Sequence, residues 1–169
     1  MKGSAILAVL LLASLGVAPQ AGAADAPFGF AWSEGADSLP PPSTTDVDGN
    51  IKELTYRPPH LPPQATETDI VIARVCDKFG LQQVEWFSHA YAFAMAISAF
   101  LDVYQQGVHQ YGEAQQADLA HGTAVWISHR IRMQTERDDD DGQYRIVVSS
   151  DGPQFGACQA EHDKIAGHR

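Results

Sequence analysis

The strongest periodic pattern in the sequence lies between Ser88 and Tyr111. Apolar and aromatic residues recur there at spacings of three and four, at Phe93, Ile97, Phe100, Leu101, Tyr104, Val108 and Tyr111. This spacing places them along one side of an α-helix and leaves polar residues such as Gln106 on the other side. Ser88 can cap the start of that helix, and Gly112 can end it. The pattern predicts a helix of about twenty residues whose apolar stripe is the centre of the core.

Shorter apolar runs predict strands on both sides of this helix. Two runs, at 70–76 and 81–87, precede it, and the turn residues between them indicate a β-hairpin. Three runs follow it, at 122–128, 130–135 and 143–148, and the last two alternate apolar and polar residues as half-buried strands do. The order β-β-α-β-β-β predicts an α+β fold, in which an antiparallel sheet of about five strands carries one long amphipathic helix on one face.

Residues 24–66 differ in composition from the rest of the chain. Eight of the ten prolines fall there, and proline both fixes φ and lacks an N–H group. We therefore expect an extended, proline-rich arm that precedes the sheet. The alternation of Phe28, Phe30 and Trp32 suits a short strand packed back onto the domain. A disordered linker is the alternative.

The first residues have the character of a secretory signal peptide. Lys2 supplies a positive start, 5–17 is an apolar run, and Ala21-Gly22-Ala23 is a small-residue cleavage site. The apolar run is shorter than the roughly 20 residues that span a bilayer. We expect a periplasmic or secreted protein, and we expect the chain to divide into a signal peptide at 1–23, the proline-rich arm at 24–66, a single α+β domain at 67–160 and a frayed tail at 161–169.

The chain has two cysteines, Cys76 and Cys158. In an exported protein an even number of cysteines favours a disulfide, and two free buried thiols are the alternative. Structural zinc sites use paired thiols at short spacing, which two widely separated cysteines do not provide.

Charge and motifs narrow the range of functions. The chain carries 11 Lys and Arg against 21 Asp and Glu, a net charge of −10, which argues against a nucleic-acid partner. The sequence has no nucleophile elbow, no paired-histidine metal motif and no glycine-rich phosphate loop. The acidic stretches at 46–50 and 138–141 are interpreted as solvated turns rather than calcium sites. No catalytic residue, metal or cofactor is predicted, and no later segment is apolar enough to span a membrane.

Arginine provides one candidate binding surface. By strand alternation, Arg130, Arg132 and Arg145 should all point away from the core, and they fall on one outer face if their strands pair. Arginine suits carboxylate or phosphate recognition, so this patch could bind an anionic ligand. The alternative is cross-strand pairing with Glu136 and the neighbouring aspartates.

One short stretch resembles a known group of domains. A helix ending in Tyr111-Gly112-Glu113 is followed by a polar loop and by a strand that carries Trp126. This is similar to small exported bacterial domains, among them β-lactamase-inhibitor-like modules and outer-membrane assembly lipoproteins. The chain departs from that pattern at Ala114, where proline is usual, and it lacks the lipid-bearing cysteine. The resemblance implies binding rather than catalysis and identifies no site residue.

These observations together predict a non-enzymatic exported binding or interaction module. Its partner is expected to be a protein or a small anionic ligand of the cell envelope, with no nucleic acid and no membrane span. A hydrolase or enzyme inhibitor of the envelope is one alternative. An envelope structural protein that makes contact through the proline-rich arm is another.

Overall fold

A computed structural model of the chain describes residues 26–62, 68–138 and 142–167. The expected signal peptide lies outside the described residues. The strands are β1 (Thr44–Asp48), β2 (Ile51–Tyr56), β3 (Thr68–Cys76), β4 (Gly80–Ser88), β5 (Gln116–Asp118), β6 (Thr123–Trp126), β7 (Ile131–Arg137) and β8 (Tyr144–Asp151). The helices are α1 (Phe93–Tyr111) and α2 (Phe155–Ala166).

All of these strands form one antiparallel sheet in the order β1-β2-β3-β4-β8-β7-β6-β5. Each half is a four-stranded meander, and the two meanders join where β4 pairs with β8. The expectation of five strands with a single helix was therefore wrong, because the sheet has eight strands and the described residues include a second helix. The coarser expectation, an antiparallel sheet with α1 on one face, is compatible with this architecture.

Of the three strands that were not predicted, β1 and β5 lie at the edges of the sheet, and β2 lies between β1 and β3. Every residue of β1 and of β5 is exposed, so neither strand has the buried alternation that marks a strand in a sequence. β1 and β2 lie in the segment expected to be a proline-rich arm, and Gly49, with φ of 57°, makes the turn between them. The strand expected around Phe28 is also absent, since Pro27–Gly29 is a 3₁₀ turn with Phe28 at φ 63°.

Helix α1 begins later than the sequence pattern indicated. Ser88 is the last residue of β4, and its hydroxyl donates to the His89 carbonyl rather than capping the helix. The buried side of α1 is also narrower than the predicted stripe. Phe100 is 2% exposed, whereas Phe93 and Ile97 are 61% and 47% exposed. The spacing of three and four residues identified the helix. The side of the helix that faces the sheet is set by its small residues as well as by its large ones.

A glycine decides how closely α1 approaches the sheet. A methyl group at Gly107 would lie 2.8 Å from the indole ring of Trp126, so only glycine permits this contact. The indole N–H of Trp126 in turn donates to the Gly112 carbonyl at the end of α1, over 2.8 Å. This bond satisfies one of the carbonyl groups that a helix C-terminus leaves unpaired.

Helix α2 begins in the domain expected at 67–160 and continues into the tail expected to fray at 161–169. Its Cys158 lies beside Cys76 at the end of β3, and the two Cα atoms are 6.1 Å apart, within the range for a disulfide. Cys76 projects on the side of β3 opposite to Val71 and Ala73, which face the core. The two helices therefore contact opposite faces of the sheet.

The core face of the sheet is the side on which Val71, Trp86 and Met133 project, as the strand register shows. Residues 26–39, here called the N-terminal segment, cover the part of this face formed by the first meander. Helix α1 covers the part formed by the second meander. Trp86 packs against both clusters and marks the boundary between the two covers.

A candidate ligand-binding trough between the N-terminal segment and helix α1

The two covers of the core face leave a cavity of about 400 Å³ between them. Its floor is formed by side chains of the central strands β4, β7 and β8. One side is formed by the N-terminal segment and the other by α1. Its lining includes the apolar residues Phe28, Val84, Trp86, Val103, Met133 and Val148, together with the polar residues Gln106, Gln110 and Ser150. A cavity of this size, with polar groups among apolar side chains, falls in the range typical of small-molecule sites.

A second cavity, of about 740 Å³, adjoins the first. The two share Phe28, Tyr111, Ile131 and Ser150 as lining residues. We call the pair of cavities the trough. The second cavity leads past Tyr111 to the 3₁₀ turn Ile127–His129 and to Arg130. The charged residues of the trough therefore lie at this end, here called the polar end, and none lies at the other, here called the apolar end.

The N-terminal segment is held to the sheet by its backbone. The N–H group of Ser33 donates to the Leu81 carbonyl over 3.0 Å, and the N–H group of Leu81 donates to the Glu34 carbonyl over 2.8 Å. Gly80 has φ of 66°, and a methyl group there would collide with the Ser33 carbonyl. Phe30 is buried, with its ring 5.8 Å from that of Tyr56. These contacts fix the N-terminal segment to the sheet, so this side of the trough is an integral part of the fold.

Left-handed backbone occurs on both sides of the trough. Phe28 has φ of 63° and Arg130 has φ of 55°, and neither is a glycine. Such conformations cost about 1–3 kcal/mol each and persist where the surrounding structure enforces them. Backbone strain of this kind is enriched at functional sites, and it also occurs outside the trough lining, at Ser33 with φ of 69°.

Aromatic side chains are concentrated in the trough. The three tryptophans of the chain, Trp32, Trp86 and Trp126, all line it. The ring of Tyr111 lies 5.1 Å from that of His129. Burial raises the pKa of Tyr111 above its ordinary value, and a weaker hydrogen bond with Gln110 acts in the opposite direction. The phenol is therefore a neutral hydrogen-bonding group at physiological pH.

The charge of the trough differs from that of the chain as a whole. The one carboxylate among its lining residues is Asp151, in a protein of net charge −10. That carboxylate accepts a hydrogen bond from Gln83 over 2.8 Å and lies 3.8 Å from the guanidinium of Arg132. Arg130 also lines the trough, and its guanidinium pairs with no group among the described residues. The polar end therefore has an uncompensated positive charge.

The three arginines predicted as a patch lie in two places. Arg132 and Arg145 project on the polar face of the sheet, opposite to the core face, and both contact acids: Arg132 pairs with Asp151, and Arg145 lies 2.5 Å from Asp69. Arg130 lies outside the strands, immediately after the 3₁₀ turn Ile127–His129. The structure thus brings two of them to one face and places the third at the trough.

The polar face is internally paired around Arg74. Its guanidinium bonds Glu53 over 3.0 Å and Glu85 over 2.7 Å, and it also contacts Gln83. Ser149 donates its hydroxyl proton to Glu85 over 3.0 Å. Two carboxylates on one face could suggest acid–base chemistry, but here both are engaged with the same arginine.

Within the described ranges, no group of three or more His, Cys, Asp or Glu side chains could hold a metal ion. Among the helices of the same ranges, none is long and apolar enough to cross a membrane.

Comparisons with known proteins give no family. No protein-family model matches the chain, and neither a curated protein nor a solved structure matches it. The proposed function therefore rests on the geometry of the trough.

Proposed function

We propose that this protein is an exported binding module that holds a small molecule with an apolar body in the trough. The observation that carries the proposal is the cavity of about 400 Å³ with the partly exposed side chains of Trp86, Val103 and Val148 in its lining. Burial of apolar ligand surface contributes roughly 25 cal/mol per Å², so contact with these side chains favours a ligand with an apolar body. The lining of this cavity includes Ser150 but no histidine or carboxylate that could activate its hydroxyl, which favours binding over catalysis.

The proposed location outside the cytoplasm has two supports. The start of the chain has the order of charge, apolar run and cleavage site that signal peptides share. Cys76 and Cys158 lie at disulfide distance, and disulfides persist in oxidising compartments. Fractionation of the cells that make the protein, followed by N-terminal sequencing, tests both parts. A protein found intact from Met1 in the cytoplasm would contradict them.

Fluorescence tests the binding function directly. N-phenyl-1-naphthylamine is an uncharged, apolar fluorophore that accepts energy from tryptophan. Because all three tryptophans line the trough, its binding there should quench tryptophan emission and produce sensitised naphthyl emission. We expect saturable binding at a 1:1 ratio.

A matched pair of variants locates the binding site. Val103 lines the trough from α1, so Val103→Phe should fill part of the cavity and weaken binding of the fluorophore at least tenfold. Gln105, two residues away, is exposed and is not a lining residue, so Gln105→Phe should leave binding unchanged. Equal binding by both variants and the wild type would contradict the proposed site.

A further inference from the structure

We infer that the ligand is an amphipathic monoanion, whose apolar body lies in the trough and whose carboxylate is bound by Arg130 at the polar end. This inference rests on the proposed function and specifies the chemistry of its ligand. It starts from the position of Arg130, which lines the second cavity but not the apolar one.

The backbone fixes Arg130 at this position. Its N–H group donates to the Ile127 carbonyl over 3.1 Å, and its carbonyl accepts from the N–H group of Asp151 over 3.0 Å. The residue is therefore tied both to its own turn and to the end of β8. Its side chain is exposed and makes no hydrogen bond or ion pair within the described part of the chain. The backbone is anchored, and the unpaired guanidinium is free to bond a ligand at this end of the trough.

The chemistry around Arg130 favours an anion. Guanidinium groups bind carboxylates through two parallel hydrogen bonds. His129 and Ser128 adjoin it in the same cavity lining, with the histidine Nδ1 3.0 Å from the serine hydroxyl oxygen. The competing acid in the lining, Asp151, is already bonded to Gln83 and close to Arg132. A ligand carboxylate at this end of the trough would therefore meet an unpaired positive charge.

The two ends of the trough select for an amphipathic molecule. The cavity between the N-terminal segment and α1 has no charged lining residue. A charged ligand group would lose its hydration there without gaining an opposite charge, so its burial would be unfavourable. The carboxylate can stay at the polar end, where solvent and Arg130 both reach it. A carboxylic acid with an acyl or aromatic body satisfies both conditions.

Competition with the bound fluorophore tests this inference. Dodecanoate and dodecan-1-ol have the same chain length and differ in charge, and each is added below its aggregation threshold to the oxidised protein. In Arg130→Gln, the affinity for dodecanoate should fall about tenfold, which corresponds to about 1.4 kcal/mol. The affinity for dodecan-1-ol should change less than twofold. Arg130→Lys keeps the charge and should retain most of the affinity for dodecanoate.

Arg57→Gln is the control for charge at a distance, because Arg57 is exposed and lines neither cavity of the trough. It should leave the affinity for dodecanoate within twofold of wild type. If Arg130→Gln and Arg57→Gln weakened dodecanoate equally, or if neither did, the inference would be wrong while the trough remained a binding site. If N-phenyl-1-naphthylamine itself did not bind the wild type, the proposed function would fail first. Thermal melting of each variant confirms that it is folded.

Discussion

Gly107 and Trp126 are in contact because glycine has no side chain: a methyl group at 107 would lie 2.8 Å from the indole ring. The pair sets the distance between α1 and the sheet, and both residues line the trough. The width of the cavity therefore depends on a residue that would otherwise be unfavourable within a helix.

The first prediction concerns Gly107→Ala. Helix propensity alone would favour alanine by about 1 kcal/mol, but overpacking against Trp126 should cost about 1–3 kcal/mol. We expect a net loss in the free energy of unfolding, measured by urea denaturation. Gly156→Ala is the control, because Gly156 lies in α2 and a methyl group there has no neighbour within 4 Å. The control should gain stability. A gain in both variants would show that α1 does not approach Trp126 this closely.

The second prediction separates the true core side of α1 from the predicted stripe. Phe100→Ala should lower the free energy of unfolding by about 3–5 kcal/mol, because Phe100 is 2% exposed. Ile97→Ala should lower it by less than about 1 kcal/mol, because Ile97 is 47% exposed. Urea midpoints of the two variants decide the matter. Equal losses would mean that α1 is rotated from the orientation described.

The third prediction concerns Cys76 and Cys158. If the two are bonded, they close a loop with a sequence separation of 82 residues, for which chain entropy gives about 4 kcal/mol of stabilisation. Reduction, or the double change to serine, should lower the thermal midpoint substantially. Maleimide labelling of the oxidised, denatured protein should modify neither cysteine. Two labelled cysteines would show that the bond does not form.

The fourth prediction is a loss of stability at alkaline pH that depends on Tyr56. Burial raises the pKa of Tyr56 to about 12, and its hydroxyl donates to the Pro40 carbonyl over 3.1 Å. An unfolded tyrosine titrates near 10, so the contribution is complete below pH 10 and is lost as pH rises from 10 to 12. Tyr56→Phe should flatten the fall in stability within this window. An unchanged pH profile for the variant would rule out Tyr56 as its cause.

The sequence identified the elements whose side chains alternate or recur on one side. Strands β7 and β8 were predicted, at 130–135 and 143–148, because apolar and polar residues alternate there, and α1 was predicted from its three- and four-residue spacing. The edge strands were missed because a strand exposed on both faces has no burial pattern. α2 was missed because its large apolar residues, Phe155 and Ile165, are too few to form a periodic stripe, and Cys158 is its one fully buried side chain.

The trough was not predicted from the sequence, and the reason differs from the one that explains the missed strands and α2. Its two sides are formed by residues far apart in the sequence, such as Phe28 and Val103, and nothing in a local pattern joins them. The alternating aromatics at 28–32 did indicate that this segment packs against the domain. The position of Arg130 beside the trough is visible only in the tertiary structure. Alternation placed Arg130 on a strand, whereas it directly follows the 3₁₀ turn Ile127–His129 and lies outside the strands.

The most direct test of the account is a nitrogen-15 NMR titration with dodecanoate that follows the three tryptophan indole N–H signals. We expect the signals of Trp86 and Trp126 to shift most, since both line the apolar cavity. Single Trp→Phe variants assign the signals. If the indole signals stay fixed while backbone signals shift on the exposed side of α1, around Phe93 and Ile97, the trough is not the binding site and the account is wrong.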